Sequence, residues 1–224
     1  MISFIVPCHN YGYNLERCVK SILSNDKSLI KEILIINDSS TDNTKQVAFK
    51  LMKLSKKIFY FEKKFKNLSK TMNFGISKLR SNSIISKIDA DDYIKKNYAH
   101  FLLRFFNFNN LDFLYSNLII KEVSNNKFFY KNQKIKKIFK FFKYPNGSGC
   151  LIKKSLWKKV GGFNEKNFYQ DDYDFWLKIN KLQDVKIGYI DKSLYVYNKH
   201  NKNMSKNLIK KNVTKIKIFL KNLI

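Results

Sequence analysis

An α/β architecture, a mostly parallel and doubly wound sheet with helices on both faces, is predicted by three features of this chain. Short continuous apolar runs alternate with apolar stripes of helical period through the first half. The runs are predominantly apolar, as strands covered on both faces are, and do not alternate regularly with polar residues. Right-handed crossovers put the C-terminal ends of such strands on one edge, and the polar clusters that follow the runs gather there.

The elements follow in order. Ile2–Val6, closed by Pro7, reads as a buried strand. Leu15, Cys18, Val19, Ile22 and Leu23 then fall at helical spacing, with Asn14 as the N-cap. Ile33–Ile36 is a second strand, and Asn37–Asp42 after it is rich in turn and cap residues. Val47, Leu51 and Leu54 make a helix, Ile58–Phe61 a third strand, and Met72, Ile76 and Leu79 a further helical stripe before the strand Ile84–Ile88. Asp112–Val123 reads as a long strand, turned at Asn125-Asn126 into the return Phe128–Tyr130. Asp171, Asp172 and Asp174 open a helix carrying Phe175, Trp176 and Ile179, where carboxylates meet the helix dipole favourably. Ile209, Val213, Ile216, Leu220 and Leu223 form the stripe of a basic amphipathic helix, which either packs on its own domain or lies on a membrane surface. The Lys- and Phe-rich segment Lys131–Lys143 either lines a groove of the domain or touches an anionic membrane surface.

Composition sets the limits. At 224 residues and 44% hydrophobic content the chain buries a full core, most simply as one domain. Its net charge of +27 is almost all lysine; Arg17, Arg80 and Arg104 are the three arginines. Arginine is the usual tool for bidentate phosphate and base-edge recognition, so specific nucleic-acid binding is disfavoured. Cys8, Cys18 and Cys150 are odd in number and widely spaced, as in a reduced cytoplasmic protein. The N-terminus lacks a basic region and turns polar too early for a signal peptide, and no apolar run reaches the length of a membrane span.

The chemistry concentrates after the fourth strand, where Asp89, Asp91 and Asp92 crowd together. Such carboxylates repel unless a cation sits among them; a solvated acidic turn is the other reading. Pro7–Asn10 and Asp38 occupy the same sheet edge, where ligands of open α/β sheets bind. Neither a Walker loop nor a Gly-x-Gly-x-x-Gly follows the first strand. A carboxylate-held divalent cation is the remaining way to neutralise a diphosphate.

Six segments in succession resemble the family 2 glycosyltransferases, of the nucleotide-sugar-binding GT-A fold. Ile2–Asn10 resembles the opening strand and its Pro-x-x-Asn turn, and Ile35–Thr44 the Asp-Asp-Gly-Ser-x-Asp segment. Asn67–Gly75 is similar to the Asn-x-Gly-x-x-x-Ala-Arg-Asn-x-Gly helix, and Ile88–Asp92 to the Asp-x-Asp metal motif. Val160–Glu165 with Gln170–Trp176 resembles the Gly-Gly-Phe-Asp-Glu and Glu-Asp-x-x-x-Trp pair, and Tyr197–Ser205 the closing Tyr-Arg-x-His-x-x-Asn-x-Ser.

The resemblance implies a GT-A nucleotide-diphospho-sugar transferase fold over residues 1–205, split into a nucleotide-binding half, 1–95, and an acceptor-binding half, 96–205, with residues 206–224 as a C-terminal helix. It implies Mg²⁺ or Mn²⁺ held by Asp91, with Asp92 and His200 as further metal ligands and Asp89 directed to ribose or metal. For Asp92 capping the next helix, and for His200 a diphosphate contact or a solvent-facing place, remain open. Asp38 would read the nucleobase through one carboxylate oxygen, or else cap a turn, while Pro7 and Asn10 wall the base. Asp172 would be the general base, with Asp171 where the family has Glu. Gly161 and Gly162 either let backbone approach the donor sugar or end the helix before them. Asn37, Met72 and Asn198 depart from the family's Asp, Arg and Arg, and Lys70 or Lys199 would have to substitute for the missing cations.

The expected activity is inverting, metal-dependent transfer of a sugar from a nucleotide donor, UDP-linked, to a hydroxyl of a glycan or lipid-linked acceptor in cell-surface polysaccharide synthesis. A nucleotidyltransferase of similar layout and a non-catalytic basic module binding membrane or nucleic acid are the alternatives. The expected location is cytoplasmic, with peripheral contact to the inner face of the membrane through the C-terminal helix as the further option.

Overall fold

The computed structural model describes residues 1–80, 82–136, 138, 140–141, 143–166, 170–201, 203 and 208–223, the side chains of 208–211 and 222–223 excepted. Met204, Ser205 and Lys206, and the side chains of Ile209, Lys210, Lys211 and Leu223, lie outside it.

The first half alternates as expected: β1 (Ile2–Cys8), α1 (Gly12–Leu23), a single 3₁₀ turn, β2 (Ile30–Asp38), α2 (Thr44–Met52), β3 (Ile58–Lys63), α3 (Leu68–Ser77) and β4 (Ile84–Lys87). The second half adds β5 (Tyr93–Ile94), α4 (Tyr98–Phe108), β6 (Phe113–Glu122), β7 (Lys127–Lys131), β8 (Leu151–Lys153), α5 (Lys154–Lys159), α6 (Asp171–Asn180), β9 (Ile187–Lys199) and α7 (Leu208–Leu223). Among the described residues these strands form one sheet, ordered β3-β2-β1-β4-β8-β6-β9-β5, with β7 paired to β6. The β1–β2, β1–β4, β2–β3 and β6–β9 pairs are parallel, and β8 enters antiparallel between β4 and β6.

The strands sort their side chains by period two. Ile2, Phe4, Val6 and Cys8 face a core shared with Leu15, Cys18, Ala48, Tyr98 and Phe106. Ile5 and Ile85 face the opposite core, with Met72, Ile76, Leu156, Phe175 and Trp176. Pro7 does not close β1, which runs on to Cys8. It lies beyond the stretch Ile2–Ile5 that pairs with β4, so its missing N–H removes no bond on that side.

Two local expectations need correction. Helix α1 begins before Asn14, with Tyr11 at its N-cap position, and its first turn is satisfied by Asp42, whose Oδ2 accepts from Gly12 N at 2.9 Å. Helix α7 packs on α6 through Ile218, with Tyr173 and Leu177 beneath it, while Val213, Ile216 and Leu220 of the expected stripe face solvent. No described helix is long and apolar enough to cross a membrane.

Candidate active site

A cavity of about 710 Å³ opens at the C-terminal ends of β1, β2 and β4, within the range of small-molecule sites. Of the candidate site residues named from sequence, Pro7, Asn10, Asp38, Asp89, Asp91 and Asp172 line it, with Asp171 beside Asp172. Asp92 and His200 are not among the lining residues.

One wall is the loop after β1. Asn10 adopts a left-handed backbone with φ of 57°, which its short polar side chain tolerates. Its Oδ1 accepts from Thr41 N at 2.7 Å and its own N–H donates to Ser40 Oγ at 2.9 Å, locking the β1 and β2 loops together.

Asp38 is placed differently from the expected base reader. Its Oδ1 accepts from Phe65 N at 2.7 Å, Lys66 N at 2.8 Å and Ser39 Oγ at 3.1 Å; its Oδ2 accepts from Asn67 N at 3.0 Å and Thr71 Oγ1 at 2.8 Å. Burial works to raise this carboxyl, but the amides of Lys66, Asn67 and Phe65 and the Thr71 hydroxyl outweigh it and hold it below its ordinary value. With its acceptor positions filled, the carboxylate cannot also receive a base N–H unless one of these donors leaves. It instead shapes the 65–67 loop, which puts Lys66 on the cavity wall.

The acidic motif is a turn closed by Asp92 N donating to Asp89 O at 2.9 Å. Asp89 pairs with Lys87 at 3.2 Å and accepts from Ser148 Oγ at 2.5 Å. Asp91 Oδ2 meets His200 Nε2 at 2.8 Å and Asn203 Nδ2 at 3.3 Å. Burial and the neighbouring Asp89 charge raise the Asp91 carboxyl, opposed by His200. Asp92 corrects the expectation outright. It is fully buried, accepting from Tyr195 Oη at 2.5 Å and Asn198 N at 2.7 Å, and burial raises it well above the ordinary carboxylate range. It neither faces the cavity nor caps a helix, since β5 follows it; it ties the motif to β9.

At the far side, α6 presents Asp172. Its Oδ2 accepts from Gly147 N at 3.0 Å, an approach only glycine allows, because a Cβ on residue 147 would lie 2.6 Å from the Asp172 carboxyl carbon. Asp171 is buried beside it in the same wall with no hydrogen-bond partner for Oδ2, and burial together with the Asp172 charge pushes it up to about 7.

Lys87 is the main residue that sequence reasoning missed. It is buried and lines the cavity. Burial works to lower its ammonium, yet Asp89, Asp172 and Asp171 outweigh burial and keep it charged. The available signal was a lysine inside the strand segment Ile84-Ile-Ser-Lys-Ile88, where a buried strand ordinarily carries no charge. Lys199 does not act as the substitute cation, since Glu122 holds it at 2.8 Å, and Lys70 is not on the cavity wall. Asn198 is a buried strut whose Nδ2 donates to Asp91 O at 2.7 Å. Met72 is core.

Two motifs turn out to be one tie. Asn73 on α3 donates to Phe163 O at 2.9 Å and accepts from Phe163 N at 3.0 Å, holding the 160–165 segment against α3. Gly161 and Gly162 themselves end α5. Gly162 N donates to Trp157 O and Gly161 N to Lys158 O, the paired bonds of a Schellman cap, with φ of 75° and 73°.

As to a cation, the Asp91 carboxylate on the cavity wall is the ligand type that Mg²⁺ or Mn²⁺ takes, ions that use few protein ligands and fill the rest from phosphate and water, while His200 meets Asp91 Oδ2 from behind. Among the described residues no three His, Cys, Asp or Glu side chains form a cage of their own.

Residues 3–160 match the family model described as Glycosyl transferase family 2. Glycosyltransferase GlyA of Streptococcus pneumoniae is 26% identical over 214 residues, covering 88% of this chain and 30% of that protein. Chondroitin synthase of Pasteurella multocida is 26% identical over 221 residues, covering 93% and 22%. Among solved structures, S. aureus TarS 1–349 in complex with UDP-GlcNAc superposes with a TM-score of 0.73 at 20% identity, over 90% of this chain and 59% of that one. The chain thus spans less than two thirds of each of these relatives.

Proposed function

This chain belongs to glycosyl transferase family 2, and from that premise we propose that it transfers a sugar from a nucleoside-diphosphate donor, UDP-linked, to a hydroxyl of a glycan or lipid-linked acceptor, with inversion. The observation that carries the reading is the single cavity onto which Asp89, Asp91 and Asp172 all open. The likeness to TarS solved with UDP-GlcNAc supports a UDP-sugar donor.

In this reading the loops after β1 and β2 wall the nucleoside, and Lys66 offers a point charge to the phosphates. Asp91, with His200 behind it, would hold Mg²⁺ or Mn²⁺, which when bound offsets charge developing on the leaving diphosphate. Asp172 takes the proton from the acceptor hydroxyl as that oxygen attacks the anomeric carbon. The Gly147 N–H holds its carboxylate, and the charged Lys87 stands on the same cavity wall. A single in-line displacement with one base inverts the anomeric centre.

Titration with UDP, with and without Mn²⁺, followed by a screen of nucleotide sugars for donor hydrolysis, tests this. Asp91→Asn is expected to lose the Mn²⁺ dependence. Asp172→Asn is expected to bind UDP as the parent does while transfer falls about 10²–10⁴-fold. Undiminished turnover in Asp172→Asn, or no UDP binding by the parent with Mn²⁺, would overturn the reading.

A further inference from the structure

Two elements away from the cavity expose apolar side chains that nothing described covers. Among the described residues strand β7 pairs only with β6, and all of its residues, Lys127-Phe-Phe-Tyr-Lys131, are exposed, Tyr130 at 77%. Edge strands ordinarily carry charges without aromatics, because a flat apolar edge invites aggregation. On α7, Val213, Ile216 and Leu220 are 46–59% exposed. At 100° per residue, Ile216 and Leu220 lie about 160° around the helix from Ile218, the residue that packs on α6. The helix is therefore apolar on two sides, and its own domain uses one.

Both elements are surrounded by lysine. Residues 121–143 carry eight lysines against one acid, Glu122, which Lys199 already pairs; residues 206–224 carry six lysines and no acid. The Lys121 ammonium stands 5.4 Å from the Phe128 ring, so cation and aromatic share one surface. The two elements are joined across the acceptor side. Tyr173 Oη donates to Phe141 O at 2.8 Å and Trp176 Nε1 to Lys140 O at 2.6 Å, which ties the segment after β7 to α6, the helix that carries Asp172 and on which α7 rests.

We infer that β7 and α7 form a docking surface for an anionic phospholipid membrane. Aromatic rings and aliphatic tips would enter the headgroup boundary, and lysines would meet the lipid charge. A second copy is the poorer occupant, since antiparallel pairing of β7 with itself sets Lys127 opposite Lys131. Single-stranded RNA could stack on Phe and Tyr, but the aliphatic stripe of α7 offers bases nothing, and only three arginines are present. Docked in this way, α7 holds α6, the helix that carries Asp172, close to the lipid surface, where a lipid-linked acceptor resides; this last step rests on the proposed function, whereas binding itself does not.

Co-sedimentation of the full chain with vesicles of phosphatidylcholine alone, and with phosphatidylglycerol added, tests the surface without any turnover. Binding is expected to the anionic vesicles only and to fall steeply with salt. The pairs F128S/Y130S and I216S/L220S should each weaken it roughly tenfold, and K127E/K131E by at least about tenfold. Thermal unfolding and UDP titration of each variant verify that fold and cavity are intact. The inference is overturned by equal binding to neutral vesicles, by no binding to anionic ones, by folded variants that bind as the parent does, or by displacement of the chain from vesicles by single-stranded RNA. Failed sugar transfer with intact vesicle binding would sink the proposed function and leave this surface standing.

Discussion

The turn that brings Asp91 to the cavity carries its neighbour Asp92 the other way, into a slot between Tyr195 and the Asn198 amide. Removing Asp92 strands a buried hydroxyl and a buried N–H, so Asp92→Ala should cost at least about 2 kcal/mol of stability. The Mn²⁺ concentration needed for UDP binding should be unchanged in that variant while it stays folded. Asp91→Asn should behave oppositely, stable but indifferent to Mn²⁺. Urea unfolding combined with the UDP titration separates the two; a loss of Mn²⁺ dependence in folded Asp92→Ala would contradict the assignment. Sequence could not divide these residues, because adjacent acids in a turn look alike until β9 supplies partners more than a hundred positions away. The same holds for Asp38, whose oxygens are filled by amides of a loop 27–29 residues downstream.

Among the elements, those with a strong local period were legible, and their ends were not. The apolar runs and helical stripes of the first half stand where their periodicity puts them, except that Leu54 falls past the end of α2 and is exposed. The start of α1 was misplaced because its cap is Asp42, remote in sequence, and Asn14 is simply inside the helix. The buried face of α7 was misplaced because two apolar sides compete and only α6 chooses between them. The end of α5 offers a clean test of backbone cost. Around Gly161 a Cβ would meet nothing within 4 Å, so Gly161→Ala pays only for its positive φ, about 1–2 kcal/mol. Gly162→Ala should cost more, since its Cβ would lie 3.0 Å from Asn73 Oδ1 and from Trp157. Thermal unfolding of both variants checks the order; a reversed order would mean the tie between α3 and the 160–165 segment is slack.

Across the whole molecule, the sheet order places acids from β2, the turn after β4 and α6 around one cavity, with Asp171 buried in its wall. Because Asp171 sits at about 7 in the fold, the native state keeps a proton that the unfolded chain releases between the ordinary carboxylate range and neutrality. Stability from this group is therefore undiminished at low pH, falls as pH rises through that window, and is lowest above 7. Asp171→Asn removes the penalty, so its stability gain over the parent should grow from near nothing at about pH 4 to roughly 2–4 kcal/mol above about pH 7. A gain of equal size at both ends would show that Asp171 titrates normally. The amino-acid sequence by itself determined the alternation of strands and helices, the sheet edge on which the acids collect and the resemblance to the family, because periodicity and motif order are local and survive reading in one dimension. Which carboxylates face the cavity, which are spent as struts, that Lys87 stands charged among them and that α7 turns an apolar side outward were decided only by tertiary structure. Those outcomes depend on which distant donor, charge or helix face comes to lie beside each side chain.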